Sequence, residues 1–353
     1  MTNTSGAVPD LDIRCDGVRL PPQARLDVES VTVLDDLDAL SMFTVTLRNW
    51  DAERLAVSWS DSALFAVGTE VRISLGYLGD LHPVMTGEIT SLEPAFTSGR
   101  LPRLTVRGYD HRHRLARGRR TRTFTRTKDS AIAGRLAREA GLRAEVTDTR
   151  TDLDYVVQNN QTDLEFLRGR ARLIGYEVYV QDKVLYFRPP RHGRPPAATL
   201  RVGDEISEFT PRLRTLAQAG AVSVRGWDMT QKKAVVVTAA AGQETTLMGG
   251  SVTGPRAVER AFGRAVSVRT GLPAPDQDRA DRMARGQFDE LALAYVTGEA
   301  QCAGRPQLRA GEVVGIQGAG TRFSGAYYLT SVSHSVTADE GYRTGLQLRR
   351  NAT

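Results

Sequence analysis

The stretch "TDLEFLRGRARLIGYEVYVQDKVLYF", Thr162 to Phe187, changes its period in the middle. Its first half sets Leu164, Leu167 and Ala171 on one side of a helix, and Thr162 with Glu165 three positions on is a capping box, in which each side chain satisfies the other's backbone N–H. Gly175 stops that helix, and tyrosines and valines then alternate through a hairpin turning near Asp182 and Lys183. Upstream, Ala131, Ile132, Leu136 and Ala140 predict another helix, with Asp129 as its N-cap and Gly141 as its stop. Residues 111–200 therefore read as an α+β unit, helix, strand, helix and hairpin, closed by the Pro-rich "RPPRHGRPPAATL" (Arg188–Leu200).

The flanks are different. Leu11, Ile13 and Cys15, Val28 to Leu34, and Phe43, Val45 and Leu47 alternate with polar residues, as half-buried strands do. "GTEVRISLGY" (Gly68–Tyr77), "MTGEITSLEP" (Met85–Pro94) and "RLTVRGYD" (Arg103–Asp110) continue the pattern with no helix between them, which favours a barrel or sandwich. Beyond residue 200 the alternation returns in "AVSVRGWD" (Ala221–Asp228) and again from Tyr295 to Arg350, interrupted by a helical stretch near 276–293 with Asp276 as its cap. Three short echoes link the two strand-rich regions. "VRGYD" resembles "VRGWD", "GTEVRISLG" resembles "GEVVGIQG" (Gly311–Gly318), and "TGEITSLE" resembles "SGAYYLTSV" (Ser324–Val332), as in a duplicated barrel.

With 353 residues, 41% of them hydrophobic, the chain can bury two or three cores. Its net charge of +6 comes from one place: Arg100 to Lys128 holds eleven basic residues against Asp110 alone, so the remainder is mildly acidic. Only Lys128, Lys183, Lys232 and Lys233 are lysine, a preponderance of arginine that coding bias explains as well as guanidinium chemistry does. The band from Arg100 to Arg126 suits a nucleic-acid-binding module by charge, yet it lacks interleaved aromatics, having only Tyr109 and Phe124 at its ends. Arg112, Arg114, Arg117, Arg119, Arg120 and Arg122 are the candidate contacts to a partner or a lumen, where bidentate guanidinium bonds are useful.

Other chemistry is looked for without success. There is no P-loop, because no Gly-Lys pair occurs, and "GIQGAGTRFSG" (Gly315–Gly325) reads as a turn between strands. No G-x-S-x-G occurs, and His334 in "YLTSVSHSV" reads as structural. Asp110, His111 and His113 resemble a metal cluster, but Arg112, Arg114 and Arg117 would repel a cation, so no metal, cofactor or catalytic residue is assigned and the chain is expected not to be an enzyme. A cell-wall hydrolase is the weakest alternative, since no acid pair is identifiable. Cys15 and Cys302 read as buried thiols, and "MTNTSGAVPD" (Met1–Asp10) lacks a secretion signal, which places folding and assembly in the cytoplasm. No stretch is long and apolar enough to span a membrane.

"VRGYDHRHRLARGRRTRTF" (Val106–Phe124), "YVVQNNQTDLEFLRGRARLIGYEVYVQDKVLYF" (Tyr155–Phe187) and "GEVVGIQGAGTRFSGAYYLTSVSHSVTADEGYRTGLQLRRN" (Gly311–Asn351) resemble, in this order, the phage late control gene D family. These proteins are hubs of contractile tail baseplates, related to the N-terminal hub part of the valine-glycine repeat spike proteins of type VI secretion. The segment Gln158 to Leu167, Q-x-x-x-x-D-L-x-F-L, is the most specific mark. The resemblance implies a mainly β fold with an α+β insert: two similar β-barrel domains at 1–110 and 201–353, the second with a helical excursion near 276–293, and an insert at 111–200. It also implies a homotrimer that adapts a six-fold tail tube to a three-fold spike, with a separate spike protein, tube or tube-initiator proteins and baseplate wedge proteins as partners. The assembled particle is a phage tail, a tail-like bacteriocin or an extracellular injection system.

Overall fold

The structure is a computed structural model that describes residues 8–353 except 230, 273 and 275; residues 1–7, on which most of the leader reading rests, lie outside the described residues. The first strand-rich region contains β1 (Pro9–Cys15), β2 (Val18–Arg19), the short α1 (Pro22–Asp27), β3 (Val28–Asp36), β4 (Met42–Arg48), β5 (Glu70–Tyr77), β6 (Asp80–Ala95) and β7 (Arg103–Tyr109). All pairings are antiparallel, in the order β3-β4-β7-β6-β5-β1-β2. The inward positions meet in one core that includes Ile13, Val33, Phe43, Val45, Ile73 and Val106, so the sheet curls around its own apolar face.

The insert follows: α2 (Arg112–Leu115), β8 (Arg120–Thr127), α3 (Asp129–Glu139), β9 (Arg143–Val146), β10 (Leu153–Gln161), α4 (Asp163–Leu173), β11 (Glu177–Gln181) and β12 (Val184–Arg188). Its core joins Phe124, Ile132, Leu136, Leu164, Phe166 and Leu185. The Thr162–Glu165 capping box is present, with the Glu165 N–H donating to Thr162 Oγ1 at 3.1 Å. The hairpin turns at Asp182 and Lys183, both with positive φ, as a two-residue turn between right-twisted strands requires. One expectation shifts by a residue. Lys128, in extended backbone, is the N-cap of α3, and Asp129 is its first helical residue, whose carboxylate accepts from Arg170 Nε at 2.6 Å instead of capping the helix.

The second strand-rich region starts with β13 (Ala198–Arg201) and β14 (Ile206–Leu213). The chain then leaves for β15 (Ala221–Asp228), β16 (Lys233–Ala240), α5 (Gly254–Phe262), β17 (Val266–Arg269) and α6 (Gln277–Leu293), with Asp276 capping α6 through the Arg279 N–H. It returns as β18 (Val296–Ala303), β19 (Val313–Gln317), α7 (Gly320–Phe323), β20 (Gly325–Thr337) and β21 (Gly341–Arg350). Leu200, Val296, Val314, Leu329 and Leu346 form its core. The two curled halves join edge to edge where Ser331–Thr337 of β20 pair with Ser30–Asp36 of β3, giving one 13-stranded sheet.

Two of the three sequence echoes mark equivalent positions. Gly68 and Gly311 both have positive φ, +93° and +86°, and donate to Ile89 O and Leu329 O, each at 2.8 Å. The return bonds, Ile89 N–H to Thr69 O and Leu329 N–H to Glu312 O, also correspond. One residue further on, the register slips at Thr90 against β7 and at Thr330 against β21, so "ITSL" and "LTSV" carry the same bulge. The third echo fails. "VRGYD" ends β7 inside the barrel sheet, whereas "VRGWD" ends β15 in a separate three-stranded sheet, β16-β15-β17, packed on α6. Five alternating residues report a strand and not its place, so the excursion from the second barrel is wider than the helical stretch read from sequence. Helix α5 went unread because it opens on Gly254 and Pro255, which look like a turn although proline is tolerated in a first helical turn.

The insert and the excursion touch at a glycine pair. A Cβ on Gly286 of α6 would lie 2.5 Å from Gly175 N and 2.7 Å from Gly175 Cα, all backbone that cannot rotate away. Gly286→Ala is expected to cost about 1–3 kcal/mol by overpacking. Urea unfolding measures it, and an unchanged midpoint would show that the two units separate freely.

Candidate interaction site on the arginine band

The six candidate arginines separate into three environments. Arg112 is fully buried. Its Nε donates to Asp110 Oδ2 at 2.7 Å, its Nη2 to Ser41 Oγ at 2.7 Å and Asp36 O at 2.8 Å, and its Nη1 to Leu37 O at 3.2 Å. It therefore contacts neither a partner nor a lumen. It fastens the start of the insert to the end of β3 and the loop after it, and the end of β3 also reaches the second barrel through Asp35, which accepts from Arg309 Nε at 2.9 Å.

Arg114 is half exposed and pairs with Glu88 of β6, which also accepts from His113 Nε2 at 2.6 Å. Burial alone would raise the pKa of Glu88, but the hydrogen bonds and charge of Arg114 and the His113 contact outweigh it and hold the carboxyl at about 2. His111 lies farther away, at 4.0 Å from Glu88, and burial lowers its pKa. Asp110 is meanwhile engaged by Arg112, so the apparent metal cluster of Asp110, His111 and His113 is divided among separate partners. Among the described residues no group of three or more His, Cys, Asp or Glu is placed to hold a metal.

Arg119, Arg120 and Arg122 stitch β8 to its neighbours. Arg119 donates to Asn160 O at 2.7 Å and Glu165 Oε1 at 2.9 Å. Arg120 approaches Glu139 at 3.4 Å and Asp163 at 3.7 Å. Arg122 donates to Gln158 Oε1 at 2.8 Å, to Glu139 Oε2 at 2.7 Å and to Asp163 Oδ1 at 2.7 Å. Gln158, fully buried, turns its amide N–H to Asp163 Oδ1 at 2.8 Å and Gln161 O at 2.9 Å. This is the physical content of the Q-x-x-x-x-D-L-x-F-L mark: its polar pair closes a clamp on Arg122, while Leu164, Phe166 and Leu167 enter the core. The sequence signal for these partners was that five-residue spacing; nothing comparable pointed to Glu88 or Glu139.

Phe124, one of the two aromatics at the ends of the band, is buried and stacked on Phe166 at 5.6 Å, with the guanidinium of Arg122 over its ring at 5.3 Å. It has no face left for a nucleobase. Arg117 is exposed and engages no partner among the described residues, leaving it as the member of the six that is free to meet another molecule. His334 is fully buried and neutral, its pKa pushed down to about 4 by burial, with Nε2 3.2 Å from Leu308 O and the Tyr342 hydroxyl 3.0 Å from Nδ1. Cys15 and Cys302 are free buried thiols, which burial pushes up to about 11 and about 12. Among the described residues no helix is long and apolar enough to cross a membrane.

A protein-family model described as the Alg8 N-terminal domain matches residues 5–338. No curated protein matches the chain. Among solved structures, the 43 kDa tail protein of prophage MuSo2 from Shewanella oneidensis is similar at a TM-score of 0.73 and 12% identity, covering 97% of this chain and 98% of that one. The tail protein from Neisseria meningitidis MC58 gives 0.70 at 15% identity, covering 97% of each chain. The E. coli c3393 protein, a component of the type VI secretion system, gives 0.61 at 13% identity, covering 96% of this chain and 77% of that one. At such identities the likeness is one of fold. These are the two groups, phage tail and type VI secretion, to which the sequence resemblance pointed.

Proposed function

The chain belongs to the Alg8 N-terminal domain family, and from its fold and internal repeat we propose that it is a structural baseplate hub of a contractile injection machine. The observation that carries the reading is the internal repeat: Gly68 and Gly311, with the bulges at Thr90 and Thr330, set two like curled sheets in one polypeptide. Three such chains in a ring would present six similar surfaces, which meets the six-fold symmetry of a tail tube on one side and the three-fold symmetry of a spike on the other. The division into 1–110, 111–200 and 201–353 is part of the same proposal, with the β15-to-α6 excursion as a satellite of the second barrel. Tube, spike and wedge proteins are its partners, and its work is done by interfaces rather than by catalysis. The tail proteins and the secretion component with the same fold support this reading.

Native mass spectrometry of the protein, alone and pulled down with tube and spike proteins from its own gene neighbourhood, tests the proposal. A trimer that retains both is expected. A monomer at all concentrations that retains neither would defeat it. The nucleic-acid reading is not favoured, because carboxylates and backbone carbonyls already engage Arg112, Arg114, Arg119, Arg120 and Arg122.

A further inference from the structure

A cavity of about 450 Å³ lies where α4, the loop after β12, α6 and β20 meet; apolar Ile174, Val178 and Leu293 wall it, and around them stand Arg168 and four further arginines against the acids Asp38, Asp289 and Glu290. Three polar groups line it with a buried atom that has no hydrogen-bond partner: Arg168 Nη2, Glu177 Oε2 and His192 Nδ1. Native structures pair such atoms with protein or ordered water, and the chain itself supplies none of these three with a partner. The Arg168 side chain has neither an ion pair nor a hydrogen bond among the described residues; burial and the charges of Arg112 and Arg172 disfavour its protonated form, against the charges of Asp38 and Asp110, neither of which pairs with it. A half-buried guanidinium without an anion is costly.

The other two groups also offer protons. His192 is 6% exposed, with its ring set edge-on to Tyr328 at 6.0 Å, and its unpaired Nδ1 can bear the proton of the neutral ring. Glu177 accepts the Tyr328 hydroxyl on Oε1, and burial pushes its pKa up to about 7, so its other oxygen carries a proton in a large share of molecules near neutral pH.

We propose that this cavity binds a carboxylate carried on an apolar body, with Arg168 as the principal anchor, His192 and Glu177 as further donors and the apolar walls around the body. A guanidinium and a carboxylate match in charge and geometry, and the apolar lining would be wasted on a bare inorganic anion. This inference stands independently of the hub reading. The carboxylate can belong to a free small acid or to the last residue of a polypeptide, and the experiment separates them.

Isothermal titration of the full chain near neutral pH with phenylbutyrate, phenylbutanol, inorganic phosphate, and a short leucine-ended peptide with free or amidated terminus tests it. At least one acid is expected to bind about tenfold or more tighter than its neutral counterpart and than phosphate. Binding of phenylbutyrate identifies a small acid, and binding of the free-ended peptide alone identifies a chain end. Arg168→Gln should weaken the acid about tenfold or more. Without ligand its melting temperature should not fall, because the side chain has no partner to lose, and His192→Phe provides a second variant at an independent position. Equal affinity for acid and neutral forms, no binding by any probe, or full binding by Arg168→Gln would overturn the proposal.

Discussion

Arg112→Met is expected to lower the unfolding free energy by about 3–5 kcal/mol, the range for removing one member of a buried, hydrogen-bonded charge pair. The methionine fills much of the same volume, so the loss is electrostatic. Asp110 would keep its place in a buried setting without the guanidinium, and the carbonyls of Asp36 and Leu37 and the hydroxyl of Ser41 would each lose one donor. Arg112→Lys retains the charge but cannot serve acceptors on three sides of a planar fork, so it should fall between the two. Asp110→Asn added to Arg112→Met should recover part of the loss, because the orphaned charge is then gone. Urea unfolding of the single and double variants measures all three. A loss below about 1 kcal/mol for Arg112→Met, the scale of an exposed pair, would mean that this guanidinium is solvated.

Glu88 gives the second large effect, and its sign follows from its pKa. The carboxyl titrates at about 2 in the folded protein against an ordinary 4.5. Its contribution is therefore fully present above pH 4.5 and drains away as pH falls toward 2. A depression of that size corresponds to at most about 3 kcal/mol, which solvent around the half-exposed Arg114 reduces to about 1–2 kcal/mol. Glu88→Gln removes the titration but keeps the shape, leaving Arg114 and His113 without their acceptor charge. Stability of the variant is expected to lie about 1–2 kcal/mol below the parent at pH 7 and to converge on it near pH 2. Chemical denaturation across that range decides the matter; a gap that stays constant with pH would show that Glu88 acts by packing alone. Glu70 and Lys183 lie beside this cluster and join the hairpin turn of the insert to the first barrel.

The features legible in the sequence were local ones. The box at Thr162 and Glu165, the turn at Asp182 and Lys183, the cap at Asp276 and the alternating strands each depend on residues within a few positions of one another, where backbone geometry follows from side-chain chemistry. The repeat could be read as well, since Gly68 and Gly311 meet the same backbone demand twice. The likeness of "VRGYD" and "VRGWD" is misleading because strand grammar is shared by sheets that have nothing else in common.

The arginine band shows the opposite case. Its composition states a charge and says nothing of what neutralises it, because Glu88, Glu139, Asp163 and the carbonyls of Asp36 and Leu37 lie between 17 and 76 positions away along the chain. Charge is a property of residues, whereas burial and pairing belong to the packed chain. Strand, helix and turn were thus written in the order of amino acids, while the use of each guanidinium as internal anchor, surface clamp or free contact arose only when distant segments closed over it and excluded water.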